Sequence, residues 1–219
     1  MLEKLIVTSG PTREWLDPVR FISNPSTGRM GWAIARAGLG KYSQVVYISG
    51  PGSESFRTVD GAMNFAVDST QEMLERVLQH VEEDATLVMA AAPADYAPVN
   101  PAETKIKKNP SNLVVEFRPT PDILVEVAKR PARGMVRVAF AAETDNLKEN
   151  ARIKMQKKDV DFICANEVFK DGKGFATADG ALLILDRAGN ETRLGPAHKD
   201  ALGESLISFL LRHSSVVRA

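Results

Sequence analysis

A single cysteine, Cys164, occurs in the 219 residues, so no disulfide framework staples this chain. It lies in the apolar run D-F-I-C-A-N, where a lone thiol reads as a small core hydrophobe rather than a nucleophile. The compartment expected is a reducing one, the cytoplasm. His80, His198 and His213 are far apart and have no His or Cys companion at ligand spacing, which argues against a structural zinc site. Neither sign of charge is in excess: 28 Lys and Arg balance 28 Asp and Glu, unlike the basic surplus of a bulk nucleic-acid binder. No apolar run approaches the roughly 18–20 residues of a membrane span. The N-terminus, M-L-E-K-L-I-V-T-S-G, enters a strand with no signal-peptide pattern. Internal repeats and low-complexity tracts are also missing.

What is present suits one soluble domain over residues 1–219, with 44% hydrophobic and 26% charged residues and enough apolar material for a core. Strand signals at 5–9, 44–48, 63–67, 86–92, 136–142 and 160–165 alternate with helix signals. The first helix is expected from Ser26 or Thr27, with that residue as its N-cap, to a stop at Gly40. Ser69-Thr70-Gln71-Glu72 is a capping box ahead of an apolar stripe at Met73, Leu74, Val77, Leu78 and Val81. Thr120-Pro121 opens another helix with proline in its first turn, and 147–158 forms a further one. Residues 181–185 and 192–194 read as a hairpin around Gly189-Asn190, followed by a last amphipathic helix over 198–211. Strands alternating with helices predict a doubly wound, mostly parallel α/β sheet with ligands outside its carboxyl strand ends. Those ends read T-S-G-P-T-R, A-A-A-P-A-D-Y, F-A-A-E-T and C-A-N-E.

Two segments break the alternation. Between the first strand and helix, Arg13, Asp17 and Arg20 crowd charge around a stretch with no clear period. Residues 96–119 hold four prolines and no helix pattern, and read as an arm or flap with a returning strand at 113–117. The dinucleotide fingerprint G-x-G-x-x-G is absent after the first strand, which disfavours a dehydrogenase. Gly38-Leu39-Gly40-Lys41 ends a helix instead of starting one, so it is not a P-loop. Around Asn24, Ser26, Gly28 and Gly31 two readings stand. The bland one is a capped helix whose glycines pack on the sheet; the other is an anion seat at a helix start. Lys105-Ile106-Lys107-Lys108 is either a solvated charge run or a cationic lip, and Lys154 and Lys158, four apart, are either an exposed face or part of the same lip.

Residues 7–31, V-T-S-G-P-T-R-E-W-L-D-P-V-R-F-I-S-N-P-S-T-G-R-M-G, closely resemble the signature of bacterial phosphopantothenate–cysteine ligases. The resemblance continues in family order through A-A-A-P-A-D-Y, K-I-K-K, P-T-P-D-I-L, F-A-A-E-T and D-F-I-C-A-N-E-V, over nearly the whole chain. It implies a Rossmann-like fold and the CTP- and Mg²⁺-dependent joining of 4′-phosphopantothenate to L-cysteine through an acyl-cytidylate, in coenzyme A biosynthesis. A homodimer is implied too, and often a fused flavin decarboxylase half. No such half precedes Met1 here, so the expectation is a stand-alone ligase or an excised domain. Carried over by motif position, Asn24 matches the asparagine that binds the acyl intermediate and Lys105 the arm's essential lysine. Gly10, Ser26, Gly28 and Gly31 match the triphosphate seat, and Met89, Ala90, Ala91 and Asp95 the intermediate-binding turn. Pro121, Asp122, Ile123, Leu124, Phe140, Lys154 and Lys158 match further nucleotide contacts. Magnesium is expected on the nucleotide phosphates rather than on protein side chains. The chain departs from the pattern at Pro25, Thr27 and Pro93, and carries Arg29 where bacterial members often have lysine. The alternative reading is a non-catalytic nucleotide-binding domain.

Overall fold

The computed structural model describes residues 2–108, 112–143, 147–167 and 179–218. An eight-stranded sheet runs through them in the order β12-β11-β10-β9-β6-β1-β4-β5. Its strands are β1 (Leu2–Ser9), β4 (Tyr42–Ser49), β5 (Met63–Ala66), β6 (Thr86–Met89), β9 (Val136–Glu143), β10 (Phe162–Glu167), β11 (Asp179–Asp186) and β12 (Glu191–His198). The six strands from β5 to β10 are parallel, and the β11–β12 hairpin adds two antiparallel ones at one edge.

Side-chain alternation builds a core on each face. Leu5, Val7, Val45, Tyr47, Val88 and Cys164 pack beneath α1 (Arg29–Gly38) and α5 (Lys199–Arg218). Ile6, Val46, Ile48, Leu87 and Ile163 face α2 (Thr70–His80), α3 (Ile123–Ala128) and α4 (Leu147–Lys158). Strands covered on both sides must be apolar at every position, which is why L-I-V and T-L-V-M show no alternation. Each such side chain, fully buried, contributes roughly 1.5–3 kcal/mol. Cys164 is among them, its thiol pushed up by burial, so the core reading holds. No helix among the described residues is long and apolar enough to cross a membrane.

Several boundaries differ from the expectation. Strand β6 ends at Met89, not at 92, because Ala91 donates its N–H to the Thr8 hydroxyl (3.3 Å) instead of to a backbone carbonyl of the neighbouring strand. Helix α1 starts at Arg29 with Gly28 as its N-cap, so neither Ser26 nor Thr27 caps it. Helix α3 starts at Ile123, capped by Asp122, which leaves Pro121 outside its first turn. Strand β10 starts two residues later than expected, β11 and β12 are longer, and α5 continues past 211.

The charged segment after β1 is itself ordered. It forms an antiparallel hairpin of β2 (Arg13–Asp17) and β3 (Arg20–Ser23). Its polarity is inverted. Glu14 and Asp17 are buried, whereas Trp15, Val19, Phe21 and Ile22 are exposed. The arm is a second small sheet, β7 (Tyr96–Pro98) against β8 (Phe117–Pro119), so the returning strand lies later than 113–117.

Candidate functional site

Strand order reverses between β1 and β6: the chain runs outward through β4 and β5, then returns to the other side of β1. Such a reversal opens a crevice beyond the strand ends. Here it is framed by Gly10 and the A-A-A-P-A-D turn, bridged by the Ala92 N–H to Gly10 C=O bond at 2.9 Å. Asn24 closes this frame. Its Nδ2 donates to the carbonyls of Ala92 (3.2 Å) and Pro93 (2.9 Å), which leaves Oδ1 as the amide atom open to a ligand.

Behind Asn24, three backbones meet at van der Waals distance. Gly28 sits at φ +84, and a Cβ there would lie 3.2 Å from Ser9 Oγ and 3.4 Å from Gly10 Cα. Ser9 Oγ donates to the Gly28 carbonyl (2.7 Å), which pulls the start of α1 against the end of β1. Ser26 and Thr27 hydroxyls accept from the Gly28 and Arg29 N–H groups, each at 3.4 Å. The remaining first-turn N–H groups of α1 have no intrahelical partner and favour an anion. At Gly31, by contrast, an added Cβ would fall 2.6 Å from Ser9 Cβ, so its surroundings are those of close helix–sheet packing. The loop 50–53, which the sequence did not single out, joins this seat: Ser53 donates its N–H to the Thr27 carbonyl at 3.1 Å. A glycine-proline-glycine turn after a strand was the available signal.

A buried polar network fixes the second turn. Thr12 Oγ1 accepts from the Ala94 N–H (2.9 Å) and bonds Thr70 Oγ1 (2.8 Å), while Glu14 accepts from the Thr70 N–H (2.9 Å). Thr120 Oγ1 donates to the Ala94 carbonyl at 2.7 Å. Pro93 and Asp95 therefore stand on a braced turn, and the Asp95 side chain is exposed.

Among the expected contacts, Gly10, Asn24, Ser26, Gly28, Ala90 and Ala91 gather at the crevice. Met89, Ile123 and Leu124 have buried side chains in the core, so only their backbones can meet a ligand. Asp122 caps α3 and pairs with Lys158 at 3.1 Å, which ties the start of α3 to the end of α4. Lys154 is half-buried one turn earlier, and Phe140 is half-buried against the core on the α1 face. Thr144, the last residue of F-A-A-E-T, and residues 168–178, which follow C-A-N-E, lie outside the described residues.

Lys105 lies exposed on the arm. The neighbouring Ile106 is held at the tip of the β2–β3 hairpin, where its N–H donates to Asp17 Oδ2 (3.1 Å) and its carbonyl accepts from Arg20 Nη2 (3.1 Å). Arg20 and Asn24 are four positions apart along an extended chain, a span of about 13 Å. Lys105, Lys107 and Lys108 are exposed, with no ion pair among the described residues. Asp17 itself is buried, which opposes its charge. The N–H groups of Val19, Ile106 and Arg20, with the Arg20 guanidinium, outweigh that and hold its carboxyl below the ordinary aspartate value.

Comparison with known proteins agrees with this architecture. The chain is 38% identical over 210 residues to the coenzyme A biosynthesis bifunctional protein CoaBC of Vibrio cholerae, covering 95% of this chain and 52% of that protein. It is 37% identical over 210 residues to the Escherichia coli protein of the same name, covering 94% and 51%. The chain thus spans about half the length of the curated relatives it matches. A crystal structure of the C-terminal domain of CoaBC superimposes with a TM-score of 0.80 at 28% identity, covering 98% of this chain and 96% of that one. Residues 2–213 match the DNA/pantothenate metabolism flavoprotein C-terminal domain, and the chain belongs to that family.

Proposed function

We propose that the chain is a phosphopantothenate–cysteine ligase of coenzyme A biosynthesis, working with CTP in a reducing cytoplasm. The observation that carries this is the placement of Asn24 against Ala92 and Pro93 at the switch crevice, beside a glycine-lined helix start. The carboxylate of 4′-phosphopantothenate attacks the α-phosphorus of CTP, forming the acyl-cytidylate and releasing pyrophosphate. The amine of cysteine then attacks the acyl carbonyl, loses a proton and expels CMP. The first step brings an anion to a phosphorus ringed by negative oxygens, so N–H donors and cations must offset the repulsion. The start of α1 supplies donors, and Lys105, Lys154 and Lys158 supply charge. Asn24 Oδ1 is a neutral acceptor for the amine N–H, which it can orient without forming an ion pair. Proximity supplies the rest of the second step.

Magnesium suits this residue set as an ion carried on the nucleotide. Among the described residues no group of three or more His, Cys, Asp or Glu gathers to hold a metal, and Mg²⁺ at phosphate sites keeps few protein ligands. When bound, it neutralises phosphate charge.

The proposal includes a homodimer in which the arm covers a site. Trp15, Val19, Phe21 and Ile22 on the hairpin, with Tyr96, Leu113, Val114 and Phe117 on the arm, expose apolar surface in neighbouring segments. Sedimentation should give twice the mass of one chain, and an active monomer would remove the dimer. A flavin decarboxylase domain or protein is the expected companion, since the chain spans about half of its relatives.

The test is pyrophosphate release with CTP against ATP, with and without cysteine, for the wild type and Asn24→Asp. CTP-dependent release is expected, with Asn24→Asp lower by about 100-fold, because a carboxylate would face two carbonyl oxygens and the acyl phosphate. The absence of release with all three substrates would overturn the ligase reading.

A further inference from the structure

The K-I-K-K segment combines a fixed backbone with free side chains, and the fixing falls on one residue. Both backbone groups of Ile106 are taken by a single ion pair whose carboxylate is buried: the N–H by Asp17 Oδ2 at 3.1 Å, the carbonyl by Arg20 Nη2 at 3.1 Å. The pair is itself closed by Arg20 Nη1 donating to Asp17 Oδ2 at 3.0 Å.

An aspartate at this place in a hairpin turn has an ordinary job. Asp17 Oδ1 does it, accepting from the Val19 and Arg20 N–H groups at 2.8 Å each. Turn formation leaves Oδ2 without work, and an exposed turn aspartate would give it to water. Here the carboxylate is fully buried, its side chain 0% exposed, and Oδ2 reaches a residue 89 positions away. The arm is steadied on the same hairpin by the Ala102 N–H to Leu16 carbonyl bond at 2.9 Å, and across itself by Val99 to Glu116 at 3.0 Å. Near the lysines, among the described residues, the backbone bonds fall on Ile106. An extended chain pinned at one residue sets the direction of its two neighbours, so the position of Lys105 depends on the Asp17–Arg20 pair.

We propose that Asp17 is a positioning residue: its buried carboxylate, with Arg20, fixes the backbone of Ile106 and thereby places the Lys105 ammonium. The inference rests on the reading of Lys105 as the arm's reacting lysine. Asp17 touches no substrate and moves no proton. It keeps the arm's backbone in register so that a flexible four-carbon side chain starts from one point. Displacement of a reacting group by about 1 Å can cost on the order of 100-fold in rate.

Two readouts separate this from a structural role. Trypsin cleaves after lysine, so release of the arm in Asp17→Asn frees the backbone around the already exposed Lys105, Lys107 and Lys108 to enter a protease. Cleavage there should rise by about tenfold or more, while sites in the core strands stay protected. The second is a double-mutant cycle on pyrophosphate release under saturating CTP, phosphopantothenate and cysteine. Asp17→Asn should lower kcat by about 100-fold with little change in KM for CTP. In a Lys105→Gln background the same change should cost less than about threefold, because coupled groups are not additive. Equal losses in both backgrounds would overturn the proposal, as would unchanged arm cleavage. If Asp17→Asn does not fold, Arg20→Gln, at a side chain 42% exposed, removes the bond to the Ile106 carbonyl and is read in the same way. A wild type that releases no pyrophosphate sinks the ligase reading instead. The trypsin comparison then decides alone whether the clamp exists, unchanged cleavage overturning it.

Discussion

Two charged clusters sit at opposite edges of the sheet, and they are put together differently. At the amino ends of β9 and β10, Arg137 and Arg187 meet Asp159 and Asp161. Arg187 Nε donates to Asp161 at 2.9 Å and Nη2 to Asp159 at 2.8 Å, while Arg137 reaches Asp159 at 3.1 Å. Two cations face two anions and the charges are used up. At the carboxyl edge, Asp17 and Arg20 pair with each other and then with backbone, and the lysines beside them have no ion pair among the described residues. A closed network stabilises a junction. A cluster with surplus cations on a held backbone is ready for an anion.

The comparison can be broken most sharply at Lys105. Losing a preorganised charged donor costs roughly 3–4 kcal/mol in transition-state stabilisation, on the order of a hundred- to a thousand-fold in rate. Lys105→Gln should therefore lower pyrophosphate release steeply, leave CTP binding measurable and leave the thermal midpoint alone. Lys107→Gln and Lys108→Gln should be mild, as exposed charges contribute little. Equal loss in all three would mean a diffuse basic patch.

The opposite cluster should show the mirror result. Asp161 is 5% exposed and accepts from the Arg137 N–H at 2.7 Å as well as from Arg187. Asp161→Asn strips a partner from both arginines and should cost about 3 kcal/mol of stability, with kcat per folded molecule unchanged. Calorimetry alongside turnover reads both, and a fall in kcat would erase the distinction drawn between the edges.

Gly31→Ala sharpens the division within the site. Its Cβ would need to displace Ser9 Cβ at 2.6 Å and the Thr8 carbonyl at 2.9 Å, so a loss of about 1–3 kcal/mol in stability is expected. If Gly31 instead serves the triphosphate alone, the variant keeps its melting temperature and loses only affinity for CTP.

The smallest effect is on pH. Partial loss of water around Asp159 opposes its charge, but Arg187 and Arg137 outweigh that and depress its carboxyl, as Asp17 is depressed at the other edge. A depressed carboxyl contributes stability that is present above the unfolded value and lost as pH falls through the folded one. The contribution should be intact at neutral pH and fade only below about pH 3.9. Asp159→Asn should flatten that acid limb slightly; an unchanged limb would show that the exposed half of the network carries nothing.

Much of this was legible in the chain. Half of the capping box at 69–72 forms as read: Ser69 Oγ accepts from the Glu72 N–H (3.1 Å), while the Glu72 carboxylate takes the N–H of Asp68 (2.8 Å), one residue before the cap. Its residues act within one turn, where sequence distance is spatial distance. The hairpin 13–23 was not legible, since Glu14 and Asp17 face inward while Trp15 and Phe21 face out, which cancels the alternation that marks a strand. The start of α1 was misjudged because a serine and a threonine precede it, yet the close meeting of Gly28 with Gly10 chooses the cap.

By itself, then, the sequence determined the α/β class, the two-faced apolar strands and the motifs that carry the family resemblance. These follow from local period and from residue type. The tertiary structure alone decided that the β1/β6 switch delivers Asn24 to the Ala92–Pro93 turn, that Met89, Ile123 and Leu124 turn their side chains into the core, and that Ile106 is bound by an ion pair nearly ninety positions away. Such contacts join segments with no shared local pattern, and which partner a buried carboxylate finds depends on the strand order that brings the two together.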